Sequence, residues 1–186
     1  MKIFRWFLIT IYDFLETTTV AFAIFIVAYL FLFQTMEVQG SSSYPTLETG
    51  ERIIVDKFTP RLDEYQRNEF VIIQSPGDQN IDYIKRIVGL PGEQIKISQC
   101  RVFINNQVLN EPYLLPSVCT RGGQYLAEEK SLSIPTNYYF VMGDNRLHSS
   151  DSRDFGPIGK DKVVGKAAYR WWPPDRVGKL DINNKR

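Results

Sequence analysis

Histidine and cysteine are scarce in this 186-residue chain: one histidine, His148, and two cysteines, Cys100 and Cys119. The cysteine spacing does not suggest a metal site, and neither metal nor cofactor is expected. The two thiols form a disulfide or stay free; a bridge suits a domain outside the cytoplasm. No charge sign dominates, with 22 basic and 21 acidic residues. No basic run is long enough to suggest nucleic acid as a partner. There are no internal repeats, which excludes a solenoid, and no long amphipathic helix is visible after residue 37.

What is present is unevenly distributed. Thr17–Met36 carries no charge and is bracketed by Glu16 and Glu37. A helix of that length spans about 30 Å, the hydrocarbon thickness of a bilayer. The run is too long for the apolar part of a cleaved leader, and no small-x-small site follows it. Upstream, Ile3, Phe4, Phe7, Leu8, Ile11, Phe14 and Leu15 recur at roughly helical spacing beside Lys2 and Arg5. The expected organisation is an amphipathic cytoplasmic segment (1–16), a transmembrane anchor in the lipid bilayer (17–36) and an extracytoplasmic domain (37–186). The basic N-terminus sets the orientation.

The outer domain reads as mainly β. Strand-like runs cover Arg52–Phe58, Phe70–Ser75, Ile81–Gly89, Gln94–Ser98, Arg101–Ile104, Gln107–Leu109, Tyr138–Met142 and Val163–Trp172. Leu90-Pro91-Gly92 predicts a hairpin between the third and fourth runs, and Asn105-Asn106 a type I′ turn. Thr59–Asn68 and Leu114–Lys130 read as loops. Short strands at close spacing favour a barrel-like or folded-sheet domain.

Three segments carry candidate chemistry. In the run from Ile81 to Val88, period two places Ile81, Tyr83, Lys85 and Ile87 on one face. An ammonium ion on so apolar a face is costly, and burial favours the neutral amine. A neutral lysine is a general base, and a serine is the simplest nucleophile for it to activate. The second segment, Gly40-Ser41-Ser42-Ser43-Tyr44-Pro45, follows the anchor at once. The third, Gly143–Gly156, is dense in short polar side chains suited to local hydrogen bonding.

Together these segments resemble the boxes of the bacterial type I signal peptidases, in that family's order. Val38–Leu47 resembles the serine box, Tyr83–Glu93 the lysine box, and Gly143–Arg153 the Gly-Asp-Asn-Arg…Ser-x-Asp-Ser-Arg box. The resemblance runs from the anchor to about Trp172. It implies a signal-peptidase-like folded β-sheet behind one N-terminal transmembrane helix, with signal peptides of secreted preproteins as partners. It further implies Ser42 as nucleophile and Lys85 as general base. Ser149 would orient the lysine amine, Asp151 would pair with Arg153, and Asp144 with Arg86. Val38, Ser43, Leu47, Asp82, Tyr83 and Ile84 would shape the substrate pockets. Two positions depart from the family pattern. Gly40 stands where some members carry a second oxyanion hydroxyl. Ser43 stands where methionine is usual, which implies a wider or more polar pocket.

Two rival readings remain at this point. One is a Ser-His-Asp hydrolase built on Ser42, His148 and Asp144 or Asp151. The other is a membrane-tethered β module that binds partners without catalysis.

Overall fold

A computed structural model describes residues 2–58, 63–78 and 80–180. It opens with one long helix, α1 (Lys2–Leu32), in which Arg5–Val27 is long and apolar enough to cross a membrane. None of that stretch is buried against the rest of the protein. Trp6, Phe14, Phe22 and Phe25 are all more than 60% exposed. A helix so apolar on every side needs another apolar phase around it.

The helix stops sooner than the apolar run does. Phe33–Glu37 is strand β1, paired antiparallel with β2 (Arg52–Asp56) from Phe33↔Asp56 to Glu37↔Arg52. The expectation of helix through Met36 is therefore corrected. Ladder pairing and the packing of Met36 on the core hold the chain extended there. The chain continues helical across residues 16 and 17, so no break separates the entry segment from the apolar run.

Beyond β1 the domain is mainly β, as the patterning predicts. The remaining strands are β3 (Phe70–Gln74), β4 (Asp82–Gly89), β5 (Gln94–Ser98), β6 (Arg101–Ile104), β7 (Gln107–Val108), β8 (Ser131–Ser133), β9 (Tyr138–Met142), β10 (Ile158–Gly159), β11 (Val163–Trp172) and β12 (Gly178–Lys179). The larger antiparallel sheet runs β1-β2-β11-β3-β4-β9-β10, with β12 also on β11, and the smaller runs β7-β6-β5-β8.

The continuous apolar run of β3 is explained by burial on both sides. Phe70 and Ile72 enter a core with Val38, Leu47, Ile53, Val55 and Ala167. Val71 and Ile73 enter another with Tyr65, Ile87, Tyr139 and Val141. A third core joins the sheets through Val88, Ile95, Ile97, Val102, Phe140 and Met142.

The turn at Leu90–Gly92 does form, with Gly92 at φ +80 and Glu93 N–H donating to Leu90 O. It does not make the expected hairpin. β4 pairs with β3 and β9, whereas β5 pairs with β6 and β8. Ile95 and Ile97 meet Val88 across the third core, so burial carries the chain from one sheet to the other. Asn105 and Asn106 both have positive φ, as a type I′ turn requires. Leu114–Lys130 carries no helix or strand, and Cys100 and Cys119 are disulfide-bonded.

Candidate active site

The serine segment is a tight turn leaving β1. Tyr44 N–H donates to Ser41 O and Leu47 N–H to Ser43 O. Val38 and Leu47, both buried, anchor its two ends in the core. The turn therefore has little freedom, and Ser42 is half-buried within it.

The loop after β9 grips this turn. Asn145 N–H donates to Ser42 O at 3.0 Å, and Asn145 Nδ2 to Ser41 O at 3.1 Å. Gly143 lies so close that a Cβ there would come within 2.4 Å of Ser42 O and 2.2 Å of Ser149 Oγ. Only glycine fits between the two serines. Two buried ion pairs hold this loop in turn. Asp151 accepts from Arg153 Nε and Nη2, both at 2.8 Å, and from Gly143 N–H at 3.0 Å. It also caps the short helix α2 (Ser152–Phe155). Asp144 accepts from Arg86 Nε at 2.8 Å and Nη2 at 2.7 Å, and from Thr46 Oγ1 at 2.5 Å. The Arg86 guanidinium sits between the Phe70 and Tyr113 rings, 4.0 and 3.9 Å from their centroids. Deleting one partner of such a pair leaves a stranded buried charge and costs about 3–5 kcal/mol.

Lys85 is only 2% exposed. Its Nζ donates to Ser149 Oγ at 3.1 Å and stands 5.1 Å from the centre of the Tyr83 ring. Burial is the main influence on its pKa, which is lowered to about 8; the nearby Asp151 opposes that and Arg153 reinforces it. A lysine with this pKa is an amine in a useful fraction of molecules near neutrality, as a general base must be.

A groove of about 370 Å³ runs between Met36–Gly40 and Asn80–Ile84, with Ser42 and Ser43 also in its wall. One edge of its floor strand has no strand partner before Arg86 among the described residues: β4 pairs with β3 from Asp82 to Arg86, but β9 joins the other edge only from Arg86 on. Of the residues expected to shape the pockets, Val38, Ser43, Asp82, Tyr83 and Ile84 line this groove. Leu47 does not. The Leu47 N–H to Ser43 O turn tucks its side chain into the core, where it is fully buried. The Ser43 side chain is also almost wholly buried, and its hydroxyl donates to Ile84 O at 3.2 Å.

The rival triad is not assembled. His148 is exposed, and Asp144 and Asp151 are each engaged by an arginine rather than by His148. Among the described residues, no group of three His, Cys, Asp or Glu side chains is placed to hold a metal ion.

Sequence reasoning assigned no role to Asn145 or Arg146. Arg146 is buried, pairs with Glu111, and donates to Thr120 Oγ1 at 2.6 Å and to Gly143 O at 3.1 Å. It ties the long loop 114–130 to the serine-gripping loop. The signal for both was their place in a segment dense in polar side chains. Their partners lie far away in sequence and carry no mark of the pairing.

A curled antiparallel sheet brings together a serine turn, a buried lysine and a strand edge open to an added strand, a set of groups compatible with a peptidase. The comparisons agree on the class. Residues 11–172 match the family model described as "Signal peptidase, peptidase S26", and the chain belongs to that peptidase family. It is 32% identical to Signal peptidase IB of Staphylococcus aureus over 172 residues, covering 87% of this chain and 89% of that one. It is 32% identical to Signal peptidase I of Bacillus licheniformis over 176 residues, covering 92% and 94%. The crystal structure of a signal peptidase I from Enterococcus faecalis V583 aligns at 28% identity and a TM-score of 0.47, covering 56% of this chain and 97% of that one.

Proposed function

We propose that this protein removes N-terminal signal peptides from secreted preproteins, with Ser42 as nucleophile and Lys85 as general base. The observation that carries the reading is Lys85 itself. It is a buried lysine, held by Ser149 in a loop that also holds the Ser42 carbonyl.

The chemistry follows from these groups. Neutral Lys85 takes the hydroxyl proton of Ser42 as its oxygen attacks the scissile carbonyl. The ammonium so formed donates that proton to the leaving amine, which departs as the N-terminus of the mature protein. Lys85 then takes a proton from water as the water oxygen attacks the acyl ester, and returns it to Ser42 Oγ as the ester C–O bond breaks; the signal peptide leaves with a new carboxyl group that ionises in solvent. The Ser42 backbone N–H supplies one oxyanion donor. Ser149 orients the amine, while the Asp151–Arg153 and Asp144–Arg86 pairs keep the loop in place.

The substrate lies extended along the bare edge of β4 and bonds to it as an added strand. Val38, Tyr83 and Ile84 present small pockets to the residues before the cut. α1 anchors the enzyme in the cell membrane with the N-terminus in the cytoplasm and the β domain outside. The serine turn then stands just beyond the bilayer, where signal peptides emerge.

The test is to incubate the detergent-solubilised protein with a preprotein and sequence the new N-terminus. One cut after an alanine or similarly small residue, absent with Ser42→Ala, is the expected result. An unprocessed preprotein, or equal cutting by Ser42→Ala, would overturn the proposal.

A further inference from the structure

The bond from Ser43 to Ile84 joins residues 41 apart in sequence, one adjacent to Ser42 and the other adjacent to Lys85. Its setting follows from the ladder. Ser75 N–H donates to Ile81 O, and Ile87 N–H donates to Glu69 O. Backbone groups alternate in direction along a strand, so those of Ile81, Tyr83, Lys85 and Ile87 point toward β3. Those of Asp82 and Ile84 point the opposite way, toward the edge that β9 leaves bare. Ile84 O would face the groove unpaired if Ser43 did not donate to it.

The bond also closes a circuit. From Ser42 the path runs by its carbonyl to Asn145, along the loop to Ser149, and by the Ser149 hydroxyl to Lys85. From Lys85 it passes to Ile84, and through the Ser43 hydroxyl back to Ser42. Without Ser43 the circuit is an open chain, and the turn's remaining ties to the lysine strand are the loop after β9 and the core in which Ile84 packs with Val38 and Leu47. We propose that Ser43 is a positioning residue of the dyad: its hydroxyl pins the nucleophile turn to the lysine strand. The same bond takes up the Ile84 carbonyl and leaves the Ile84 N–H, with the Asp82 N–H and C=O, for an entering chain. This inference rests on the assignment of Ser42 and Lys85 above.

A positioning bond acts on the chemical step, so its loss should appear in kcat rather than KM. The test measures preprotein cleavage by the full chain in detergent for wild type, Ser43→Ala, Ser43→Thr and Ser42→Ala, each checked for folding by thermal melting. Ser43→Ala should lower kcat about threefold to tenfold, the worth of one neutral hydrogen bond, and leave KM within about twofold. Ser43→Thr keeps the donor and should recover most of that loss. Wild-type kcat in Ser43→Ala overturns the inference, as does a rise confined to KM or a folded Ser43→Thr as slow as the alanine variant. Complete loss in Ser43→Ala would make Ser43 the nucleophile and overturn it too. If Ser42→Ala is inactive while Ser43→Ala is normal, only this inference fails; if Ser42→Ala turns over normally, the dyad assignment fails with it.

Discussion

Replacing Lys85 with methionine should abolish activity and yet stabilise the fold at pH 7. Burial lowers the pKa of this lysine from 10.5 to about 8. The unfolded chain therefore binds more protons than the folded one between those values, and stability rises with pH across that window. Below about pH 8 the lysine is charged in both states and the full cost of burying the charge is present. The gap of about 2.5 pH units, at ~1.4 kcal/mol each, makes that cost about 3 kcal/mol. Methionine has a similar length and no charge, so it removes the cost. It also forfeits the bond to Ser149, worth about 1 kcal/mol. The net gain is about 2 kcal/mol at pH 7, or roughly 4–8 °C in Tm for a chain of this size. Above pH 10.5 the wild-type lysine is neutral in both states, and the variant should hold no advantage. Thermal or urea unfolding of both proteins in the same detergent at pH 7 and pH 10.5 measures this directly. A less stable Lys85→Met at pH 7, or a gain unchanged at pH 10.5, would refute the assignment of a buried, charge-penalised lysine.

Three further outcomes follow from the same site. Single-turnover cleavage should rise with pH through a midpoint near 8, because only the neutral amine accepts the Ser42 proton; a profile flat from pH 6 to 10 would contradict this. His148→Ala should keep activity within about tenfold, well short of the loss of a general base, since His148 is exposed and contacts neither aspartate; a folded variant slower by orders of magnitude would revive the triad. Protease added to the outer face of intact membranes should digest residues beyond 37 and spare a tag at the N-terminus; digestion only from the cytoplasmic face would reverse the proposed orientation.

Much of the fold was legible because the outer strands announce themselves by period two and by turn residues. β5, β6, β9 and β11 begin and end where the patterning places them. What the sequence hid is pairing. Leu90-Pro91-Gly92 marks a turn but says nothing about whether the next strand returns to β4 or crosses to another sheet, and burial of Ile95 and Ile97 against Val88 decides it. The end of α1 was hidden because apolar residues serve a membrane helix and a sheet edge alike. Phe33–Met36 becomes strand only because β2 lies alongside. In the site, the residue types of the three segments were readable, and so was the apolar face that holds Lys85. The tethers were not: Asn145 on Ser42, Arg146 on Thr120 and Ser43 on Ile84 each join elements distant in sequence. The fate of Leu47 was hidden for the same reason, since one turn bond decides whether its side chain meets the groove or the core.

The central claim is that Ser42 and Lys85 act as one catalytic unit, and single-turnover cleavage of a preprotein by Ser42→Ala, Lys85→Met and the double variant tests it most directly. Residues of one unit are strongly non-additive, so each single variant should lose activity by orders of magnitude and the double should be no slower than the slower single. Losses that multiply in the double variant, or near-normal turnover in either folded single variant, would contradict the account.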